Sequence, residues 1–184
     1  MGLTRTLGAD LRSLRKSRGL TLESLSTQLG RSVGWLSQVE RDISTLDPGE
    51  IDAIAKLLDV PTSLFSHSNT RAEEAGRVVR SNARRVLGER VPGLAETLLS
   101  PDLTDSFEVI HSTFAPGSKS DGAVNRDTAE LGYVLSGTLD VTLGDENFTI
   151  HTGDSFRVRD ETLRWSNPYD APAVLVWVIS PPVY

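Results

Sequence analysis

Residues 21–41, TLESLSTQLGRSVGWLSQVER, decide how the first third of this chain folds. Thr21 precedes an apolar-periodic run, where its hydroxyl can accept from the unpaired N–H groups of a first helical turn, and Gly30 closes that run with a residue free to turn left-handed. Ser32 repeats the capping role for VGWLSQVER. The stretch predicts two short helices joined by a turn of about four residues. Leu25, Leu29, Leu36 and Val39 recur at the spacings that pack one helix on the other, which makes them core. Val33, Gly34, Ser37, Gln38 and Arg41 are left facing outward on the second helix, with Ser32 at its start.

Working outward, Leu3, Leu7, Leu11 and Leu14 share one face of a helix that ends at Gly19. After Pro48, Ile51, Ile54, Ala55 and Leu58 form the stripe of another, and Pro61 with TSLF adds a last turn. Five helices in some seventy residues predict a small all-α domain. From Ser66 to Gly76 the composition turns to that of a linker. Beyond it the apolar period falls from 3.6 to about 2. GRVVRS and AETLLS are short strand candidates; FEVIHSTF, ELGYVLSGTLDVTLG, ENFTIHTGDSFRV and AVLVWVIS are strands separated by turn residues. Short, evenly spaced strands of this kind predict a sandwich or barrel.

The formal charge of −6 hides an asymmetry. Residues 1–42 hold seven basic groups against four acidic ones, while residues 93–184 hold five against fourteen. A basic head can dock on phosphates while an acidic body is held off them. The absence of cysteine excludes disulfides, thiolate metal sites and cysteine nucleophiles, and three scattered histidines offer little for a metal. No apolar run approaches the roughly 20 residues of a membrane helix, and the N-terminus is too charged for a signal peptide, so a cytoplasmic protein without membrane attachment is expected.

The segment LGADLRSLRKSRGLTLESLSTQLGRSVGWLSQVER, continued by IAKLLDVPTSLF, resembles the helix-turn-helix domain of the Xre, Cro and phage-repressor class. Residues 107–183, through FAPGSKSDG, AELGYVLSGTLDVTLGDENFTIHTGDSFRVRDETLRWSNP and VLVWVISPP, resemble a single small cupin. The order of the two is similar to that of the Xre–cupin regulators, which include regulators of polyamine catabolism, and RVVRSNARRVL is similar to their lead-in strand. The resemblance implies a two-domain α+β protein: a five-helix lambda-repressor-like domain over 1–68, linker and lead-in strands over 69–106, and an all-β double-stranded β-helix, or jelly-roll barrel, over 107–184.

It further implies that the helix from about Ser32 to Arg41 enters the major groove of a double-stranded DNA operator. There Gln38 can bond bidentately to adenine, Ser37 can donate or accept, Val33 can meet a thymine methyl, and Arg31 and Arg41 reach phosphates. Trp35 is left open between a core edge and a DNA contact. Arg15 and Glu40 occupy positions that form an internal ion pair in this class. The glycine and later proline that often follow the recognition helix are Asp42 and Leu46 here.

Cupin enzymes usually hold a divalent metal with histidines and a glutamate. Glu130 fills the glutamate position, but the histidine positions hold Arg126 and Arg164, and guanidinium groups do not ligate metals. No metal or other cofactor is therefore expected, nor catalysis. His111 and His151 lack partners at ligand spacing, and His67 falls in the linker. A ligand pocket of Arg126, Glu130 and Arg164 with Phe156, Trp165 and Trp177 would favour an anionic metabolite; an amine held by Glu130 and the tryptophans, or an internally paired and filled core, is the other option. Tyr133 should face the opposite side of its strand, toward a dimer surface or solvent. The reading is a homodimeric repressor whose operator binding a small molecule modulates. The alternatives are a metal-dependent epoxidase or oxygenase-like cupin enzyme, and a constitutive DNA-binding protein whose cupin only dimerises it.

Overall fold

Helices begin wherever the sequence supplies a side-chain acceptor. In the computed structural model, which describes residues 6–65, 74, 76–88, 91–101, 103 and 105–183, the hydroxyl of Thr6 accepts from Ala9 N–H and opens α1 (Leu7–Ser17). Thr21 caps α2 (Leu22–Gln28) and Ser32 caps α3 (Val33–Val39) in the same way. Asp47 starts α4 (Pro48–Leu58) through a reciprocal pair, its carboxylate accepting from Glu50 N–H while the Glu50 carboxylate accepts from Asp47 N–H. Gly30, at φ 64°, makes the left-handed step between α2 and α3.

The expected fifth helix is a single 3-10 turn, Thr62–Phe65, so the described residues form four α-helices. The left-handed Asp59 (φ 53°) ends α4 two residues before Pro61. Leu11, Leu14, Leu25, Leu36, Val39, Ile54, Ala55, Leu58 and Leu64 are buried as the periodicity requires. Leu3, His67 and most of the expected linker lie outside the described residues.

The β-rich part has nine strands among the described residues. They are β1 (Arg85–Gly88), β2 (Leu94–Leu98), β3 (Glu108–Phe114), β4 (Ala129–Ser136), β5 (Thr138–Leu143), β6 (Glu146–His151), β7 (Ser155–Arg159), β8 (Leu163–Ser166) and β9 (Ala173–Ser180). Six form a sheet in the order β1-β2-β3-β9-β4-β7, and three form a second sheet, β6-β5-β8. Burial alternates along β3 and β9, so Ile110, Phe114, Leu175, Trp177 and Ile179 point inward with Val134 and Val158, facing Leu139, Val141 and Ile150 of the small sheet. GRVVRS, expected as a strand, is not one. The chain there is irregular and then takes a 3-10 turn at Ser81–Ala83, and pairing begins only at Arg85. Two consecutive valines gave a β-like composition without an alternating face to bury.

The chain divides into two units, Met1–Arg85 with Pro101–Asp105, and Val86–Ser100 with Ser106–Tyr184. In the first, Ser13 Oγ donates to the Leu103 carbonyl, and Asp10 pairs with Arg85 with both side chains almost fully buried. No described helix is long and apolar enough to cross a membrane.

Candidate functional site

α3 is anchored on one side and bare on the other. Leu36 and Val39 are buried, while Ser32, Val33, Gly34, Gln38 and Arg41 are exposed on one continuous surface. Ser37, expected beside them, is half-buried, and its carbonyl accepts from Arg41 Nε at 3.0 Å, which fixes the start of that guanidinium and leaves its fork outward. Gln38 Oε1 accepts from Ser44 Oγ at 3.2 Å, which orients the exposed amide.

Arg31, expected to reach phosphates, is exposed and already carries an ion pair. Its guanidinium donates to Glu50 Oε1 at 2.7 Å and lies 5.2 Å from the centre of the Trp35 ring. Trp35 itself is half-buried and lines a shallow groove with Leu29, Asp47 and Ala53. Beneath the helix, Arg15 grips Glu40 with two parallel hydrogen bonds, Nε to Oε1 at 2.5 Å and Nη2 to Oε2 at 3.0 Å, and gives Nη1 to the Leu20 carbonyl. The Glu40 hydrogen bond raises the pKa of the Arg15 guanidinium above its ordinary value, so the arginine keeps its charge although it is buried. Asp42 takes the left-handed conformation usually given to glycine, at φ 57°, and its carboxylate accepts from Gly8 N–H at 2.9 Å. The loop after α3 is thus pinned to the start of α1.

The second candidate lies inside the β-rich unit, a cavity of about 210 Å3 walled by Ile110, Phe114, Trp165, Trp177 and Ile179. Glu130, 6% exposed, projects into it from β4; its Oε1 accepts from Thr128 Oγ1 at 2.8 Å and from Arg126 Nη1 at 3.3 Å. Trp165 packs edge-on against Phe114, with centroids 4.7 Å apart, and links the two sheets.

Two expected members are elsewhere. Arg164 pairs in register with Thr142 on the outer face of the small sheet, exposed and pointing away from the cavity, because it alternates with the inward Leu163 and Trp165. Phe156 does not reach the wall; it stands edge-on to Trp177 at 5.1 Å, packed over Gly132, where a Cβ would come within 2.6 Å of its ring. Phe156 therefore aims Trp177 rather than touching a ligand.

A catalytic metal does not fit this donor set. Arg126 offers Glu130 positive charge and a hydrogen bond where a metal ligand would offer a lone pair. Among the described residues no three histidine, aspartate or glutamate side chains gather as candidate ligands, and His151 sits exposed with Nδ1 3.3 Å from Thr138 Oγ1.

A helix-turn-helix domain description matches residues 6–68, and a cupin domain description matches residues 110–179. The chain is a helix-turn-helix protein with a cupin domain. It is similar to the HTH-type transcriptional regulator SutR of Escherichia coli strain K12, with 28% identity over 157 residues that span 84% of this chain and 83% of that protein. Its cupin is similar in fold to an RmlC-like cupin from Shewanella frigidimarina, at TM-score 0.51 and 17% identity over 58% of this chain and 91% of that one. KdgF from Halomonas sp. matches equally, at TM-score 0.51 and 17% identity over 59% and 96%.

The cupin also holds site residues that the sequence reading missed. Glu96, Asp121 and Glu161 line the cavity, and Glu96 Oε1 accepts from Ser112 Oγ at 2.8 Å. The available signal for Glu96 was a lone carboxylate in the half-apolar AETLLS, which alternation places on either face equally well. Asp10 and Arg85 were likewise invisible as a pair, lying 75 residues apart.

Proposed function

We propose that this protein is a DNA-binding transcriptional regulator, acting in the cytoplasm as a homodimeric repressor whose grip on a short double-stranded operator is altered by a small molecule in the cupin barrel. The observation that carries the reading is α3. Its inner face is locked into the helical core, and its outer face presents Ser32, Val33, Gly34, Gln38 and Arg41 together, within a segment matched as a helix-turn-helix domain. Such a helix laid in the major groove reads bases with short polar and apolar groups and gains affinity from arginine on phosphate. The likeness to SutR, a transcriptional regulator, supports the same conclusion over most of the chain.

The cavity favours a ligand-responsive regulator over a constitutive one, whose barrel would need no open space. Guanidinium in place of a metal ligand at Arg126 weighs against an enzyme. A second copy is supported by the apolar outer face of the large sheet, where Leu131, Tyr133, Leu135 and Val178 are all exposed. Two recognition helices related by a two-fold axis would meet half-sites about 34 Å apart on a pseudo-palindrome.

Mobility shift on the DNA flanking the protein's own gene, run in chelator, tests the reading. A sequence-specific shift that survives chelation is expected. Absence of any specific shift, with a stoichiometric metal copurifying, would overturn it in favour of an enzyme.

A further inference from the structure

We propose that the cupin cavity selects a small organic cation, an ammonium or amidinium group set against Glu130 with its carbon body along Trp165 and Trp177. This deepens, and rests on, the reading of the cavity as an effector site. With Arg164 on the outer face of the small sheet, the charged groups lining the cavity among the described residues are the carboxylates of Glu96, Asp121, Glu130 and Glu161 and the guanidinium of Arg126. Arg126 reaches one oxygen of Glu130, at 3.3 Å.

Acceptors are left over. Glu130 is 6% exposed, both of its hydrogen bonds fall on Oε1, and Oε2 accepts none among the described residues. Glu96 repeats the pattern: Oε1 takes the Ser112 hydroxyl and Oε2 accepts none among the described residues. A carboxylate oxygen in a cavity walled by Phe114, Trp165 and Trp177 sits in a medium that screens charge poorly, so an entering anion would be repelled and an entering cation held. An ammonium brings three donors and no acceptor, the complement of two unfilled carboxylate oxygens, and indole faces attract its charge as well. A cavity of about 210 Å3 lies below the range of roughly 300–1,000 Å3 typical of drug-sized ligands, which limits the guest to a few carbon atoms.

Calorimetric titration of the full chain with pentylammonium, pentanol and pentanoate separates the possibilities, since the three share one carbon body and differ in charge. Pentylammonium is expected to bind at least about tenfold more tightly than either other probe. Glu130→Gln, nearly isosteric, should erase that preference, and Arg164→Ala should leave it unchanged. Should Glu130→Gln fail to fold, Glu161→Gln and the selectivity of the unaltered chain still decide. Tighter binding of pentanoate or pentanol would overturn the cation assignment while sparing the effector site. Binding of none of the three at millimolar concentration would overturn both.

Discussion

Asp42 stands where chains of this kind often place glycine, and it holds the left-handed conformation at φ 57° through its own side chain. Aspartate tolerates this region better than most residues, and here its carboxylate also takes the Gly8 N–H. Asp42→Ala should lose both advantages and destabilise the helical domain by about 1–3 kcal/mol, whereas Asp42→Gly should cost less, because only the hydrogen bond is lost. Urea unfolding followed by helical circular dichroism would rank them; equal costs would mean that the backbone conformation contributes nothing. On the exposed face of α3, Gln38 and Arg41 are expected to behave differently from one another. Gln38→Ala should relax preference at one base position at a cost of about 1–3 kcal/mol, while Arg41→Ala should weaken all sequences alike and reduce the salt slope by about 1. Competition binding over an operator library at several salt concentrations distinguishes them, and a uniform loss for Gln38→Ala would make its role positional.

At the scale of elements, β4 is shaped by what crosses it. Gly132 lies in register with Phe156 of β7 and Trp177 of β9, and its missing side chain is the space their edge-on contact occupies. Gly132→Ala is expected to lower the melting temperature of the cupin transition by several degrees, and Phe156→Leu to recover part of that loss, giving a non-additive pair in a double-mutant cycle. Additive losses would show that the two residues do not share the space. On the small sheet, Tyr169 donates its hydroxyl to Asp140 Oδ1 at 2.9 Å, an acceptor it shares with Thr149. The Asp140 hydrogen bond raises the tyrosine pKa above its ordinary value of 10.0. A raised pKa in the folded state means stability that is present below pH 10 and lost as pH climbs through the folded value. Absorbance titration of the phenolates, compared with Tyr169→Phe, should reveal one hydroxyl titrating late; the same late phase in the variant would assign it to another tyrosine.

For the molecule as a whole, the exposed apolar face and the charge distribution set what is expected. The outer face of the large sheet brings Leu131 and Tyr133, 47% and 44% exposed, beside Val178 and Val176 in register across β4 and β9. An apolar strip of this kind on an antiparallel sheet is costly to leave in water. Tyr133→Glu is expected to yield a monomer that still folds but binds a palindromic operator far more weakly, as light scattering and mobility shift would report together. A dimer that survived the substitution would place the contact elsewhere. The acidic cupin, fourteen acidic groups against five basic over 93–184, should keep non-specific DNA binding weak even though residues 1–42 are basic.

The helical domain was legible because its instructions are local. Thr21, Gly30, Ser32 and the leucine spacings each act within one or two turns, so the sequence alone placed α2, α3 and most of the buried set and outward face, with Leu29 and Ser37 half-buried instead. Alternation likewise located most strands of the cupin, where each side chain is sorted by its own neighbours. The strand at GRVVRS went wrong where composition was suggestive but no alternating face needed burying, and the expected fifth helix is only a 3-10 turn although its Leu64 and Phe65 are buried. The composition of the cavity was decided only by tertiary structure. Whether Arg164 and Phe156 enter it, and whether Glu96 does, depends on strand register and on which face of which sheet looks inward. A shift of a single residue reverses that answer, and no local pattern encodes it. The same reason hid the partners Asp10 and Arg85 and the double grip of Arg31 on Glu50 and Trp35, since a charge declares its sign in the sequence but not the group it will meet.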